Sequence, residues 1–438
     1  MRAAALLGLA LGLLAGVGSV PASAATAGAP ATAATSALPP LQPVTWNFTQ
    51  AHVTGGQGAG RYGSGVTVAV IDTWVDASHP DFGGRVVQGA DCRSGTCVPG
   101  SAPIDSCGHG THVAGTIASE TYGVAPLARI LPVTVLGADA TGACSGSTAA
   151  VAAGIAWATT HGAQVENLSI GEDSPALLQD AAVTAAISSA AAAGVVVTVA
   201  AGNANRPGQN ADMYVPSYGD KALVVAATGP GGQVASYSNV SPTKVALAAP
   251  GGDPGTASCT EATCVASTWP GSQYALLSGT SMAAPHVSGA AALLLAADPA
   301  LHRAGVVTAL QRTAHARAGT TYGLLDVQAA VGSVPHAVGA PAVRGGASAP
   351  KVVIPAAVPN RIKVKVTPPT TRPAPGPAKT AAPPAPRRPA VAAPLPARSG
   401  ADLAPRGPWL LALAMLLAVG WAAASSLRRL RMRMRAPR

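Results

Sequence analysis

The chain has 438 residues, 28 Lys and Arg against 18 Asp and Glu, a formal net charge of +10 and 48% hydrophobic residues. Residues 335–438 hold 17 of the basic residues and one acid, Asp402, which leaves residues 1–334 net acidic at −6. The overall positive charge therefore gives no argument for nucleic-acid binding by the folded part, no nucleic-acid partner is expected, and a basic tail beside an apolar run points to a membrane.

Residues 1–24 have the pattern of a secretory signal peptide: Arg2, an apolar run from Ala3 to Val17, and the small-residue cleavage site Ala22-Ser23-Ala24. Residues 25–43 are Ala-, Thr- and Pro-rich and are expected to be disordered. From residue 44 to 334 strands alternate with helices. Val66 to Ile71 reads as a buried strand ending in Asp72. His79 to Phe82 reads as a turn, and Val113 to Ile117 as a small-residue helix after a Gly-rich loop. Ile130 to Leu136 is a strand, and Ser147 to His161 a helix capped by Ser147 and stopped by Gly162. Val165 to Ile170 is a strand, Ala181 to Ala193 a helix ending at Gly194, and Val195 to Ala200 a strand running into Ala201-Gly-Asn203. Leu223 to Ala227 and Lys244 to Ala249 are further strands. This alternation predicts an α/β fold, a mostly parallel sheet covered by helices on both faces.

The pattern stops near Val334. Residues 335–407 read as a Pro- and Ala-rich linker without a core. Residues 408–427 are apolar and long enough to cross a bilayer. The arginine-rich residues 428–438 place the C-terminus in the cytoplasm and the domain outside. Six cysteines, Cys92, Cys97, Cys107, Cys144, Cys259 and Cys264, all fall in the folded region. In an exported chain they read as disulfides, with 92–97, 107–144 and 259–264 preferred among fifteen possible pairings. A zinc site is the weaker reading, because no Cys-x-x-Cys pair exists.

Ser281 stands in G-T-S-M-A-A-P-H at the start of an apolar run, Met282 to Ala297. A helix beginning at or near it tolerates Pro285 within its first turn. The helix N-terminus favours developing negative charge, which suits a nucleophile. Taken alone, Ser281 reads as an N-cap on a core helix. Asp72 alone is a solvated strand-end acid, and His109 a loop histidine with His112 as competitor. Together the three supply what a serine nucleophile requires: a base, and a carboxylate to orient that base.

The blocks V-A-V-I-D-T, D-x-x-G-H-G-T-H-V-A-G-T and S-G-T-S-M-A-A-P-H-V-S-G, in that order, resemble the three catalytic blocks of the subtilisin-like serine proteases. The similarity runs from about Trp46 to about Val331. Tyr122 to Pro126, Ala201-Gly-Asn203 and Ser267-Thr-Trp269 are similar to the proteinase K-like branch. The resemblance implies the three-layer subtilisin fold and hydrolysis of polypeptide substrates through an acyl-enzyme. Ser281 would be nucleophile, His109 base and then acid, and Asp72 its orienting group. Asn203 would donate to the oxyanion. Ser169, Ile170 and Gly171 would pair with substrate backbone. Ala200, Ala201 and Gly202 would line a pocket for apolar or aromatic side chains. His79, His112 and His286 become structural.

The departures from the family pattern are specific. Trp74 stands where a Gly is usual, two residues after the aspartate, and Glu172 where a second Gly is common. Ala246 replaces an Asp that helps relatives bind calcium, so no cofactor or metal is expected. About 20 residues separate the signal peptide from Trp46, less than the usual inhibitory propeptide. With the linker and the span, this layout resembles the mycosins, membrane-anchored subtilases of a secretion machinery. Leu395-Pro-Ala-Arg-Ser-Gly400 offers another outcome, a degenerate sortase signal that would link the chain to the cell wall. A catalytically weak peptide-binding surface protein is the competing function.

Overall fold

The computed structural model describes residues 45–100, 107–139, 144–170, 180–204, 215–317 and 319–335, together with the backbone of 362–364. The signal peptide, the apolar run at 408–427 and the basic tail lie outside these residues.

The first strand, β1 (Thr67–Asp72), is buried along its whole length and alternates its side chains between two cores. Val68 and Val70 face one core, Ala69 and Ile71 the other. Residues flanked on both faces in this way form a continuous apolar run rather than an amphipathic strand. Around β1 lie β2 (Ala90–Asp91), β3 (Val98–Pro99), β4 (Arg129–Thr134), β7 (Val165–Leu168), β8 (Val196–Ala200), β9 (Leu223–Thr228), β10 (Leu247–Pro250) and β13 (Gly323–Leu324). Their order is β13-β10-β9-β8-β7-β1-β4-β2-β3, parallel throughout except for the β2–β3 pair. From β1 the chain moves out to β2 and β3 at the edge, comes back to β4 beside β1, and then crosses to β7 on the other side of β1. The strand order reverses at β1, and its carboxyl end is where open α/β sheets form a crevice. Asp72 sits there.

Helices cover both faces, as expected. The α3 (His109–Ala118) and α6 (Thr280–Ala297) helices join the core that holds Val68 and Val70. The α4 (Thr148–Thr160) and α5 (Ala181–Ala192) helices join the other. Ser147 caps α4, accepting from the Ala150 N–H, and Gly162 follows the helix at φ 86°. Asp180 caps α5. The α6 helix is apolar on all sides and buried in all but one residue, which marks a core helix. Among the described residues it alone is long and apolar enough to cross a membrane, and 94% of it is buried in the domain.

Several boundaries differ from expectation. The predicted 130–136 strand ends at Thr134: the Val135 N–H makes the last ladder bond, to the Asp72 carbonyl, and the chain then enters a separate hairpin, β5 (Leu136–Ala138) and β6 (Cys144–Gly146). The predicted 244–249 strand starts only at Leu247, because the Ser241 hydroxyl and carbonyl hold Thr243, Lys244 and Val245 in a turn. Within the predicted linker, β14 (Ile362–Val364) pairs in parallel with β6, so that stretch is not structureless. Elements not expected are the short strands β2, β3 and β13, the helices α1 (Trp46–Gln50) and α2 (Val53–Gln57), the hairpin β11 (Val265–Trp269) and β12 (Gln273–Leu277), α7 (Arg303–Arg312) and α8 (Val327–Gly332). The cysteines form the preferred pairs, Cys92–Cys97, Cys107–Cys144 and Cys259–Cys264. The loop of 37 residues is worth about 4 kcal/mol by chain entropy, the five-residue loops about 2 each.

One buried acid makes stability depend on pH. Glu166 on β7 is fully buried; Thr159 donates to its Oε1 at 2.8 Å, and its Oε2 has no partner. Burial pushes the carboxyl from 4.5 up to about 8. The folded state thus holds a proton that the unfolded chain releases, and stability is lost as pH rises from about 4.5 to about 8. Glu166→Gln keeps the shape and the hydrogen bond and removes the proton. Denaturant unfolding at pH 5 and pH 8.5 is expected to show a gain for the variant on the order of 2–4 kcal/mol at the higher pH only. An equal difference at both pH values contradicts this.

Candidate active site

Asp72 ends β1 and is fully buried. Its Oδ1 accepts from the Thr73 N–H at 2.7 Å and from His109 Nδ1 at 2.8 Å. Its Oδ2 is buried with no hydrogen-bond partner, so among the described residues the His109 ring makes the one side-chain hydrogen bond to the charge. His109 is not in a loop: it is the first residue of α3, and this fixes the direction of its ring. Two glycines allow the approach. Gly108 caps α3 at φ 72°, and a Cβ there would lie 2.3 Å from the Trp269 ring. A Cβ on Gly110 would lie 2.3 Å from the Thr73 carbonyl oxygen. With no side chain in the way, the Gly110 N–H donates to Thr73 Oγ1 at 2.8 Å. This satisfies one free donor of the helix terminus and ties α3 to the end of β1.

The β11–β12 hairpin holds α3 from its other side. Thr268 Oγ1 donates to the Thr111 carbonyl and Ser267 Oγ to the His112 carbonyl, both at 2.8 Å. His112 returns the contact, its Nε2 lying 3.2 Å from the carbonyls of both Val265 and Ala275. Burial first, then the neighbouring His109, lowers the His112 ring to about 3, so it stays neutral and donates from Nε2. His286 is also structural. Burial lowers it to about 4; Nδ1 donates to the Met282 carbonyl, and Nε2 accepts from the Asn47 amide at 2.9 Å. His79 bonds the Gln273 carbonyl through Nε2 at 2.9 Å. All three take the structural roles expected of them.

Ser281 is the second residue of α6. Pro285 lies at the sixth, beyond the first turn where it was expected. A proline there cannot donate to the carbonyl four residues earlier, which is that of Ser281. Ser169 fills the gap: its Oγ donates to the Ser281 carbonyl at 2.8 Å. In return the Ser281 Oγ donates to the Ser169 carbonyl at 3.0 Å. The serine hydroxyl is therefore engaged by the segment after β7, and among the described residues no hydrogen bond joins it to His109. Asn167 Nδ2 donates to Ser169 Oγ at 2.8 Å, so the pair is tied into the buried network beneath α6.

Asn203 is exposed, and its amide orientation is fixed by chemistry. The Thr280 N–H donates to Oδ1 at 2.9 Å, and the Thr280 hydroxyl at 3.0 Å. A backbone N–H only donates, so Oδ1 must face α6 and Nδ2 must face away. The Thr280 hydroxyl also accepts from the Gly202 N–H at 3.1 Å. Asn239, buried, clamps the same loop by donating to the Ala201 carbonyl and accepting from the Ala204 N–H. Ser169, Ile170, Ala200, Ala201 and Gly202 are all buried beside these groups, while Gly171 lies outside the described residues. Trp74 is 9% exposed, close to the 8% of His109 and 7% of Ser281.

Thr73, Thr268, Thr280 and Asn239 were missed by the sequence reading. Thr73 and Thr280 adjoin Asp72 and Ser281, which is the one signal that could have singled them out.

A carboxylate on an imidazole, a serine at a helix N-terminus and a fixed amide, at the reversal point of a parallel sheet, have the makings of serine acyl-transfer chemistry. The subtilase family model matches residues 63–340, and the chain belongs to that family; it is a subtilisin-like serine endopeptidase. Subtilisin BL of Lederbergia lenta is 38% identical over 299 residues, which cover 66% of this chain and 99% of that protein. An extracellular serine proteinase of a Thermus species is 39% identical over 275 residues, 61% of each chain. Among solved structures, a cold-adapted subtilisin-like serine proteinase matches with a TM-score of 0.50 and 34% identity over 60% of this chain and 89% of that one. A protease of Pseudoalteromonas arctica matches with 0.55 and 30% over 67% and 99%.

The Thr280 hydroxyl links Gly202 to Asn203. Thr280→Val keeps the shape and removes both bonds. Peptide hydrolysis is expected to show kcat reduced about tenfold, from one to two hydrogen bonds of about 1 kcal/mol, with KM little changed. A loss confined to KM contradicts a role in orienting Asn203.

Proposed function

We propose that Ser281 attacks the scissile carbonyl while His109 takes its proton through Nε2 and later delivers it to the leaving amine. Asp72 holds the Nδ1–H and stabilises the imidazolium. Asn203 Nδ2, with the backbone N–H of Ser281, receives the oxyanion, a contribution of about 3 kcal/mol for such a donor. Peptide backbone runs along Ser169, Ile170 and Gly171, and Ala200 to Gly202 accept an apolar or aromatic side chain. The 2.8 Å contact of His109 Nδ1 with Asp72 Oδ1 carries the reading. It selects the tautomer whose Nε2 is free to act as base.

The same proposal covers the rest of the chain. Residues 1–24 direct export, 25–43 form a short disordered lead, and 44–334 are the peptidase domain. Residues 335–407 tether it, 408–427 span the membrane and 428–438 face the cytoplasm. The charge step between domain and tail and the apolar run support a surface anchor. The layout is mycosin-like and makes a secretion machinery a partner. Sortase linkage near Ser399 is the variant of the same localisation.

One observation favours a second reading. The Ser281 hydroxyl is bonded to the Ser169 carbonyl, which supports a peptide-binding protein of low activity. Assay of the full-length chain on an apolar peptide separates the two. The enzyme reading predicts turnover that falls about 10⁶-fold in Ser281→Ala, with peptide binding retained. Binding without turnover in the wild type favours the second reading. Mass spectrometry of the mature ends is expected to give an N-terminus after Ala24 and a retained 408–427 segment. An end near Ser399 identifies wall linkage.

A further inference from the structure

Far from Asp72, at the β13 edge of the sheet, two histidines meet one carboxylate. β13 is five strands from β1, roughly 24 Å at the usual strand spacing. Asp326 follows β13 and caps α8, its Oδ1 accepting from the Ala329 N–H at 2.8 Å. Its other oxygen, Oδ2, receives both His52 Nδ1 at 2.8 Å and His315 Nε2 at 2.7 Å. These three donor atoms lie within 4.8 Å of one another. The two rings meet edge to face, with centroids 6.0 Å apart.

The cluster is built by the backbone. The Val327 N–H donates to the Ala51 carbonyl, which pins the residues next to Asp326 and His52 together. His315 and Leu324 exchange two backbone hydrogen bonds, fixing His315 two residues from Asp326. His52 holds a left-handed conformation, φ 51° and ψ 40°, which disfavours a side-chain-bearing residue and persists only where its surroundings impose it. The carboxylate is 7% exposed and the imidazoles 50% and 57%, so the donors converge at the surface with a side open to solvent.

We propose that His52, His315 and Asp326 bind a divalent transition-metal ion of the zinc type. The ion would staple the N-terminal helices α1 and α2 to the C-terminal β13–α8 segment. Two imidazole nitrogens and one carboxylate oxygen suit zinc, whereas calcium and magnesium take oxygen ligands. In a tetrahedral zinc site neighbouring donors stand about 3.3 Å apart, so the contacts here need to open by about half an ångström. Each neutral imidazole then carries its proton on the nitrogen facing away, His52 on Nε2 and His315 on Nδ1. A water completes the coordination on the exposed side.

The full-length chain carrying Ser281→Ala, which prevents self-cleavage, is stripped of metal and titrated with zinc chloride by calorimetry and thermal melting. One ion per chain is expected, with a rise in Tm of roughly 5 °C at saturation. Cobalt in place of zinc is expected to give visible absorption of a low-coordinate site. His52→Ala and His315→Ala, both at half-exposed positions, are each expected to lose the Tm shift and most of the affinity. Asp326→Asn retains the helix cap and is expected to lose them also. With Ser281 restored, the same three variants are expected to retain peptide hydrolysis. Absence of stoichiometric zinc binding, or a shift that survives in both histidine variants, overturns the proposal. Variants that melt lower without zinc, from a parent that zinc leaves unmoved, also overturn it and leave the cluster as a hydrogen-bonded clasp.

Discussion

The site depends on one close approach, the first turn of α3 against the end of β1. Hydrogen bonds make it, and the absence of a side chain at Gly110 permits it. Thr73 anchors the helix, Asp72 receives the His109 ring, and Thr111 Oγ1 receives the Asp76 N–H as the chain leaves the strand. On the far side of α3, the hydroxyls of Ser267 and Thr268 complete the clamp. A buried polar arrangement of this kind is stable only when its members are satisfied together. Asp72 Oδ2 and His112 Nδ1 are the exceptions, and the first leaves the carboxylate charge facing the His109 imidazole.

A second constraint sets the serine. Pro285 removes one rung from the α6 ladder, and the freed Ser281 carbonyl is satisfied from outside by Ser169. The cost of the proline is thus converted into a tie between the helix and the segment that follows β7. The same two residues hold the Ser281 hydroxyl in place. Beneath them Asn167, Thr198 and Ser288 join α6 to the sheet through buried hydrogen bonds. Core packing and site geometry are therefore one structure here: moving α6 against β7 or β8 would move Ser281 and, through Thr280, Asn203.

Much of this was legible in the sequence. The sheet strands with long apolar runs, the Ser147 and Gly162 signals around α4 and the glycine after α5 follow from local rules, and so did the cysteine pairs. Asp72, His109, Ser281 and Asn203 stood out because each sits in a distinctive block. What stayed hidden depends on contacts distant in sequence. Nothing local announces that Thr268 reaches Thr111, 157 residues away, or that Asn239 holds the Ala201 loop. The β11–β12 hairpin did carry a signal, Pro270-Gly271 between two apolar stretches, and was passed over. The α7 helix lacks a capping side chain, and α1, α2 and α8 are too short to show a period. The His52, His315 and Asp326 cluster joins residues that are 274 and 11 positions apart, with no shared motif.

In the proposed mechanism the Asp72–His109 contact selects the tautomer that makes Ser281 a nucleophile. The rate at which a fluorophosphonate labels Ser281 tests it most directly, because labelling requires the activated serine and no substrate pocket chemistry beyond it. Asp72→Asn preserves the shape while offering a donor where the carboxylate accepts. The account predicts labelling at Ser281 in the wild type and a rate about 10⁴-fold lower in Asp72→Asn. Equal rates in the two proteins would contradict it.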